Sequence, residues 1–108
     1  MGFPTINMRP IEGSVPLRSG VYVVETELGK GIANWGQAPT MGDGAWKERV
    51  LELHLLDAHD AITPPAEMRV SFLGFLRDEM KFPSLSALSA QILVDSEKAR
   101  GYLRESKP

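Results

Sequence analysis

The chain contains no cysteine, which excludes disulfide bonds, thiolate catalysis and cysteine metal sites together. No stretch approaches the roughly 20 consecutive apolar residues that cross a bilayer, and the N-terminus lacks a basic region followed by an apolar run. We therefore expect a cytoplasmic protein that does not bind membranes. The net charge is also small, at −2, so no bulk electrostatic attraction draws the chain to nucleic acid.

Compact catalytic motifs are absent as well. No serine lies in a G-x-S-x-G turn, and Gly29-Lys30-Gly31 is too short for a phosphate-binding or dinucleotide-binding loop. We therefore predict that the protein is not an enzyme and that it has no catalytic residues, no cofactor and no metal.

One dense polar cluster is a candidate metal site, and it consists of His54, Asp57, His59 and Asp60. Imidazole and carboxylate groups together suit Zn²⁺ or Fe²⁺. The two histidines are five positions apart, a spacing that shares neither a helix face nor a strand face. We interpret the cluster as a strand that ends in a polar turn, although a loop beginning near Asp57 would bring the groups together.

The clearest secondary-structure element is a C-terminal helix over residues 82–102. Ser84 is a good N-cap because its hydroxyl accepts from a free amide of the first turn. Apolar residues recur at three-, four- and seven-residue steps and predict a buried stripe. This stripe consists of Leu85, Leu88, Ile92, Ala99 and Leu103. Asp95-Ser96-Glu97 would also cap a new start, so one bent helix and two short helices both stay open.

The rest of the chain reads as strands and loops. Residues 20–36 predict a hairpin with its turn at Gly29-Lys30-Gly31. Residues 46–58 and 67–77 fit either a helix or a strand, and we favour strands because apolar and polar residues alternate. After the second of these we expect a turn at Asp78-Glu79 and a short return at Lys81-Phe82.

These elements predict an α+β fold: a small antiparallel sheet of four to five strands with a C-terminal amphipathic helix. A strongly twisted sheet of this size suits an SH3-like barrel. We divide the chain into an N-terminal arm, 1–19, and a single domain, 20–108. The arm contains three prolines, which restrict it to an edge strand at best.

The best candidate for function is a protein–protein interaction site around the loop at 37–45. Trp35 and Trp46 flank this loop and Met41 lies within it; such side chains are enriched at recognition surfaces. Glu48 and Glu52 make the surroundings acidic, which favours a basic protein partner or mimicry of nucleic acid. The alternative is that both tryptophans belong to the core.

The favoured function is therefore a non-enzymatic interaction module, a small accessory or regulatory protein of the phage or mobile-element type. A nucleic-acid-associated module is the alternative, using the locally basic C-terminal half. A self-pairing edge strand at residues 5–11 would make the protein a homodimer, and the sequence leaves this open.

Residues 16–36 also resemble the opening of the GIY-YIG nucleases. Residues 20–22, Gly-Val-Tyr, match the first motif of that family, and residues 34–36, Asn-Trp-Gly, stand where the second is expected. The resemblance implies a metal-dependent nuclease in which Tyr22 and Arg49 take part. The chain departs from the family at the second motif, whose tyrosine is Asn34 here, and no glutamate can be assigned to the family's metal-binding position. Any such nuclease would therefore be degenerate.

Overall fold

A computed structural model describes residues 5–11, 13, 15–16, 18–37, 49–57 and 63–105. These residues form five strands and one helix. In chain order the elements are β1 (Ile6–Met8), β2 (Gly20–Thr26), β3 (Gly29–Gln37), β4 (Arg49–Leu55), β5 (Val70–Arg77) and α1 (Leu85–Glu105).

The strands form one antiparallel sheet in the order β1-β4-β3-β2-β5. This confirms the predicted α+β class. Both 46–58 and 67–77 contain strands, as predicted, and β1 is an edge strand, the most regular structure that the prolines of the arm were expected to allow. Among the described residues β1 and β5 do not pair with each other, so the sheet is open and the suggested SH3-like closed barrel is not formed.

Alternation along the strands gives the sheet two apolar faces. On one face the odd-numbered leucines of β4, Leu51, Leu53 and Leu55, pack with Tyr22 and Trp35. We call the other face the helix-facing side, because Val21, Val23 and Ile32 pack there against Ile92 and Ala99 of α1. The even-numbered residues of β4 point to the helix-facing side, since successive side chains of a strand alternate.

The hairpin between β2 and β3 turns two residues earlier than predicted, at Glu27-Leu28. Thr26 stabilises this turn: its hydroxyl accepts from the amide of Leu28 at 3.0 Å and donates to the carbonyl of Gly29 at 2.8 Å. Gly29 has a φ of +135°, which a residue with a side chain rarely adopts. The glycine-rich segment therefore opens β3 instead of forming the turn.

Helix α1 begins as predicted, because the amide of Ala87 donates to the Ser84 hydroxyl at 3.1 Å. It is one continuous helix, so the alternative of two short helices is wrong. Ile92 and Ala99 are buried, but Leu85 is 72% exposed, which contradicts its placement in the core. Leu85 lies in the first turn, where the side chain borders a cavity instead of packing on the sheet.

Residues 78–82 lead from β5 to the helix without forming a strand, so the predicted return at Lys81-Phe82 is wrong. Within the described part of the chain, no helix has the length and apolar character needed to cross a bilayer.

Candidate active site

A cavity of about 250 Å³ lies between the N-terminal half of α1 and the helix-facing side of the sheet. Most of its polar side chains come from the sheet and from the residue before β1, namely Thr5, Asn34, Glu52, His54 and Arg77, and the helix adds Ser89 and Asp95. Most of its apolar side chains come from the segment before the helix and from the helix itself, namely Met80, Phe82, Leu85, Leu88 and Ile92, and the sheet adds Val21 and Ile32. The cavity is therefore mainly apolar on the helix side, which we call the apolar wall, and mainly polar on the sheet side.

Three side chains form a polar row across adjacent strands on the helix-facing side. Glu52 of β4 pairs in register with Asn7 of β1 and with Asn34 of β3. Side chains directly opposite each other in an antiparallel pair have Cβ atoms about 4.5–5.5 Å apart. The carboxylate of Glu52 is therefore flanked by two amides, and we refer to Asn7, Glu52 and Asn34 as the polar row.

Glu52 is half-buried, and its carboxylate forms no hydrogen bond or ion pair with any other described residue. An ionised carboxylate is an acceptor only. It can bind a hydroxyl group and take its proton, provided that the hydroxyl lies within about 2.6–3.2 Å. The polar row is thus suited to holding and activating a hydroxyl group.

An ion pair closes the cavity between β5 and the helix. Arg77 Nε donates to Asp95 Oδ1 at 2.9 Å, and Arg77 Nη2 donates to Asp95 Oδ2 at 2.8 Å. Gln91 donates to Asp95 Oδ1 at 3.0 Å. Asp95 is 1% exposed and the Arg77 side chain 16%. The pair therefore fixes the helix to β5 and holds the cavity wall in place.

The structure describes two of the five predicted partner-binding residues, Trp35 and Glu52. Trp35 is only 4% exposed, and its indole N–H donates to the carbonyl of Pro16 at 2.9 Å. Glu52 lies in the polar row, on the opposite side of the sheet from Trp35. Met41, Trp46 and Glu48 lie outside the described residues. Partner binding by this set stays an untested prediction.

The dismissed polar cluster is divided between two places. His54 lines the cavity, whereas Asp57 pairs with Arg100 at 3.2 Å beside a second cavity of about 250 Å³. His59 and Asp60 lie outside the described residues. The described ranges contain no group of three or more histidine and acidic side chains positioned to bind a metal.

Sequence reasoning missed Thr5, Asn7 and the Arg77–Asp95 pair. Thr5 and Asn7 were part of a proline-containing arm without a role. Asp95 did give an indication, because it stands three residues after Ile92 and four before Ala99, within the buried stripe. A charged residue there requires a buried partner.

Comparison with known proteins identifies what the chain resembles. Residues 1–103 match the protein family described as Flavokinase: Riboflavin kinase. The bifunctional riboflavin kinase/FMN adenylyltransferase of Haemophilus influenzae is 36% identical, with 94% of this chain and 33% of that protein covered. The Escherichia coli K12 protein of the same name is 37% identical, with 100% and 34% covered. No solved structure gave a significant match.

A third relative is the RNA-binding riboflavin kinase RibR of Bacillus subtilis, which is 37% identical over 88% of this chain and 41% of that protein. The chain thus spans about a third of the length of the bifunctional relatives.

These matches contradict the prediction of a non-enzymatic interaction module, and the prediction that the protein is not an enzyme is wrong. They also replace the nuclease resemblance. Tyr22, which that resemblance placed in a catalytic site, is buried on the face away from the cavity, and its hydroxyl donates to the carbonyl of Arg18 at 2.7 Å. Arg49 lies over the ring of Trp35, 5.8 Å from its centroid.

Proposed function

Because the chain belongs to the riboflavin kinase family, we propose that it transfers a phosphoryl group from a nucleoside triphosphate to a hydroxyl group of riboflavin. The cavity between α1 and the sheet is the proposed site of this reaction. The observation that carries the proposal is the polar row, in which the carboxylate of Glu52 stands between two amides beside the cavity.

Phosphoryl transfer requires mainly positioning and electrostatic stabilisation, together with a group that orients the attacking hydroxyl. Glu52 is suited to that last role, because its carboxylate can accept the hydroxyl proton as the oxygen attacks phosphorus. Asp95, the other carboxylate lining the cavity, is occupied by Arg77 and Gln91.

The two sides of the cavity match the two parts of riboflavin. The flat ring system suits the apolar wall that includes Phe82, Leu88 and Ile92, and the hydroxyl-bearing chain suits the polar row. A volume of about 250 Å³ is slightly below the usual range of ligand pockets, about 300–1,000 Å³. The cavity therefore suits one ring system, and the phosphates would lie at its polar end.

A kinase of this kind uses Mg²⁺ carried by the nucleotide, and the oxygen groups at the polar end fit such an ion. Mg²⁺ prefers hard oxygen ligands and is usually held by one or two carboxylates together with substrate phosphates. Thr5 and Asn7 would hold it here, which leaves the carboxylate of Glu52 for the reacting hydroxyl. When bound, the ion neutralises charge on the phosphate oxygens. This proposal departs from the expectation that the chain needs no metal.

The test replaces Glu52 with glutamine, which keeps the shape of the side chain and removes the proton acceptor. Loss of a general base lowers the rate by about 10²–10⁴-fold, so we expect kcat for riboflavin phosphorylation to fall within that range. Glu97→Gln, at an exposed position of α1, is the matched control and should retain full activity. If E52Q keeps a kcat within threefold of wild type, Glu52 is not the base.

The other expectations stay predictions: a cytoplasmic location, the division at residue 19, binding of another protein or of nucleic acid, and a homodimer formed through β1.

A further inference from the structure

Glu79 lies beside the polar row although it follows a different strand. A Cβ atom at Gly36 would run into the carboxylate of Glu79, so this carboxylate fills the space that a side chain at position 36 would take. Gly36 points to the same face as Asn34, because side chains two apart in a strand share a face. The carboxylate therefore stands on the helix-facing side, about 7 Å along β3 from Asn34.

The backbone around Glu79 is held from two sides. Arg77 Nη1 donates to the carbonyl of Asp78 at 2.8 Å, and Arg18 donates to the carboxylate of Asp78 at 2.9 and 3.1 Å. The next residue, Met80, lines the cavity. These contacts restrain the backbone on both sides of Glu79, whose own side chain is exposed.

The carboxylate of Glu79 receives no hydrogen bond from any other described residue. It is an acceptor-only group that lies over Gly36. Gly36 is two residues from Asn34 on the same face of β3 and is diagonal to Glu52 in the β3–β4 ladder. A ligand that supplies hydroxyl donors would satisfy it. A phosphate group would be repelled, since both groups are anionic.

We propose that Glu79 is a further substrate-contacting residue, whose carboxylate accepts hydrogen bonds from the ribityl hydroxyls of riboflavin. This inference rests on the proposed function. With the ring system against the apolar wall, the hydroxyl-bearing chain runs along the polar row, where Glu52 receives the reacting hydroxyl and Glu79 a neighbouring one. The glycine at position 36 leaves this space open to the carboxylate.

The test is a fluorescence titration of the protein with riboflavin and with lumiflavin, which has the same ring system but a methyl group in place of the ribityl chain. A charge-assisted hydrogen bond is about twice as strong as a neutral one, so we expect Glu79→Gln to raise the Kd for riboflavin about tenfold. Lumiflavin should bind the variant and the wild type equally. An unchanged Kd for riboflavin, or an equal loss for both flavins, would overturn the proposal. Glu97→Gln is the matched control.

A second variant tests the contact with Gly36. Gly36→Ala should displace the carboxylate and weaken riboflavin binding as much as Glu79→Ala does. In the double variant G36A/E79A the two effects should not add, because the displaced group is already absent. Additive effects would show that Gly36 acts independently of Glu79.

The proposed function and this inference fail in different ways. A wild-type protein that binds no riboflavin would contradict the proposed function. A wild-type protein that binds and phosphorylates riboflavin, with an E79Q variant that binds it equally well, would contradict only the role of Glu79.

Discussion

Removal of the buried carboxylate at position 95 should strongly destabilise the protein. Arg77 and Gln91 donate four hydrogen bonds of 2.8–3.1 Å to Asp95, and Asp95→Ala leaves the mostly buried guanidinium without its anion. Breaking a buried ion pair from one side costs about 3–5 kcal/mol. In a domain of this size each kcal/mol lowers Tm by about 4 °C or more. We therefore expect Tm to fall by roughly 12–20 °C.

The assay is thermal and urea unfolding followed by circular dichroism, with the exposed Glu97→Ala as the matched control. A double variant, Arg77→Met with Asp95→Leu, removes the ion pair without leaving an unpaired buried charge. Apolar replacement of a whole buried pair is often neutral or stabilising. We expect the double variant to be clearly more stable than D95A. A free energy of unfolding for D95A within about 1 kcal/mol of wild type, a difference typical of exposed ion pairs, would refute this reasoning.

Two further substitutions test the packing and the start of the helix. Leu53→Ala should lower the free energy of unfolding by about 2–5 kcal/mol, because Leu53 is fully buried between β1 and β3. Urea unfolding measures this free energy, and a loss below about 1 kcal/mol would contradict the expectation. Ser84→Ala should lower the free energy of unfolding by about 1 kcal/mol, because the hydrogen bond from the Ala87 amide is lost. Ser84→Asp should keep the wild-type stability, since aspartate also caps helices. Equal losses in both variants would show that this N-cap hydrogen bond does not stabilise the helix.

Local patterns predicted the elements of the fold well. Alternation along 46–58 and 67–77 indicated strands, and Ser84 marked the start of the helix, because these features depend on residues close together in sequence. The hairpin turn was misplaced because Gly29 and Gly31 were both assigned to it. Gly29 is needed for its positive φ at the start of β3, and Gly31 because a Cβ there would meet the backbone of His54.

The site was not predictable in the same way. Asn7, Glu52 and Asn34 belong to three strands, and only the order β1-β4-β3 brings them into one row. The alternation of apolar and polar residues in 46–58 implies that Glu52 faces away from the leucines of its strand, as it does, but it does not indicate which residues of other strands lie beside Glu52. No compact motif marks a catalytic group in the sequence, so the prediction of an interaction module missed the riboflavin kinase family.

The most direct test of the account incubates the wild-type protein with riboflavin, Mg²⁺ and ATP labelled on the terminal phosphate, and separates the flavins by chromatography. The account predicts that the label appears in a phosphorylated flavin, and that omission of riboflavin leaves only slow release of labelled phosphate. Protein that is folded and binds riboflavin, yet transfers no label to it, would contradict the central claim.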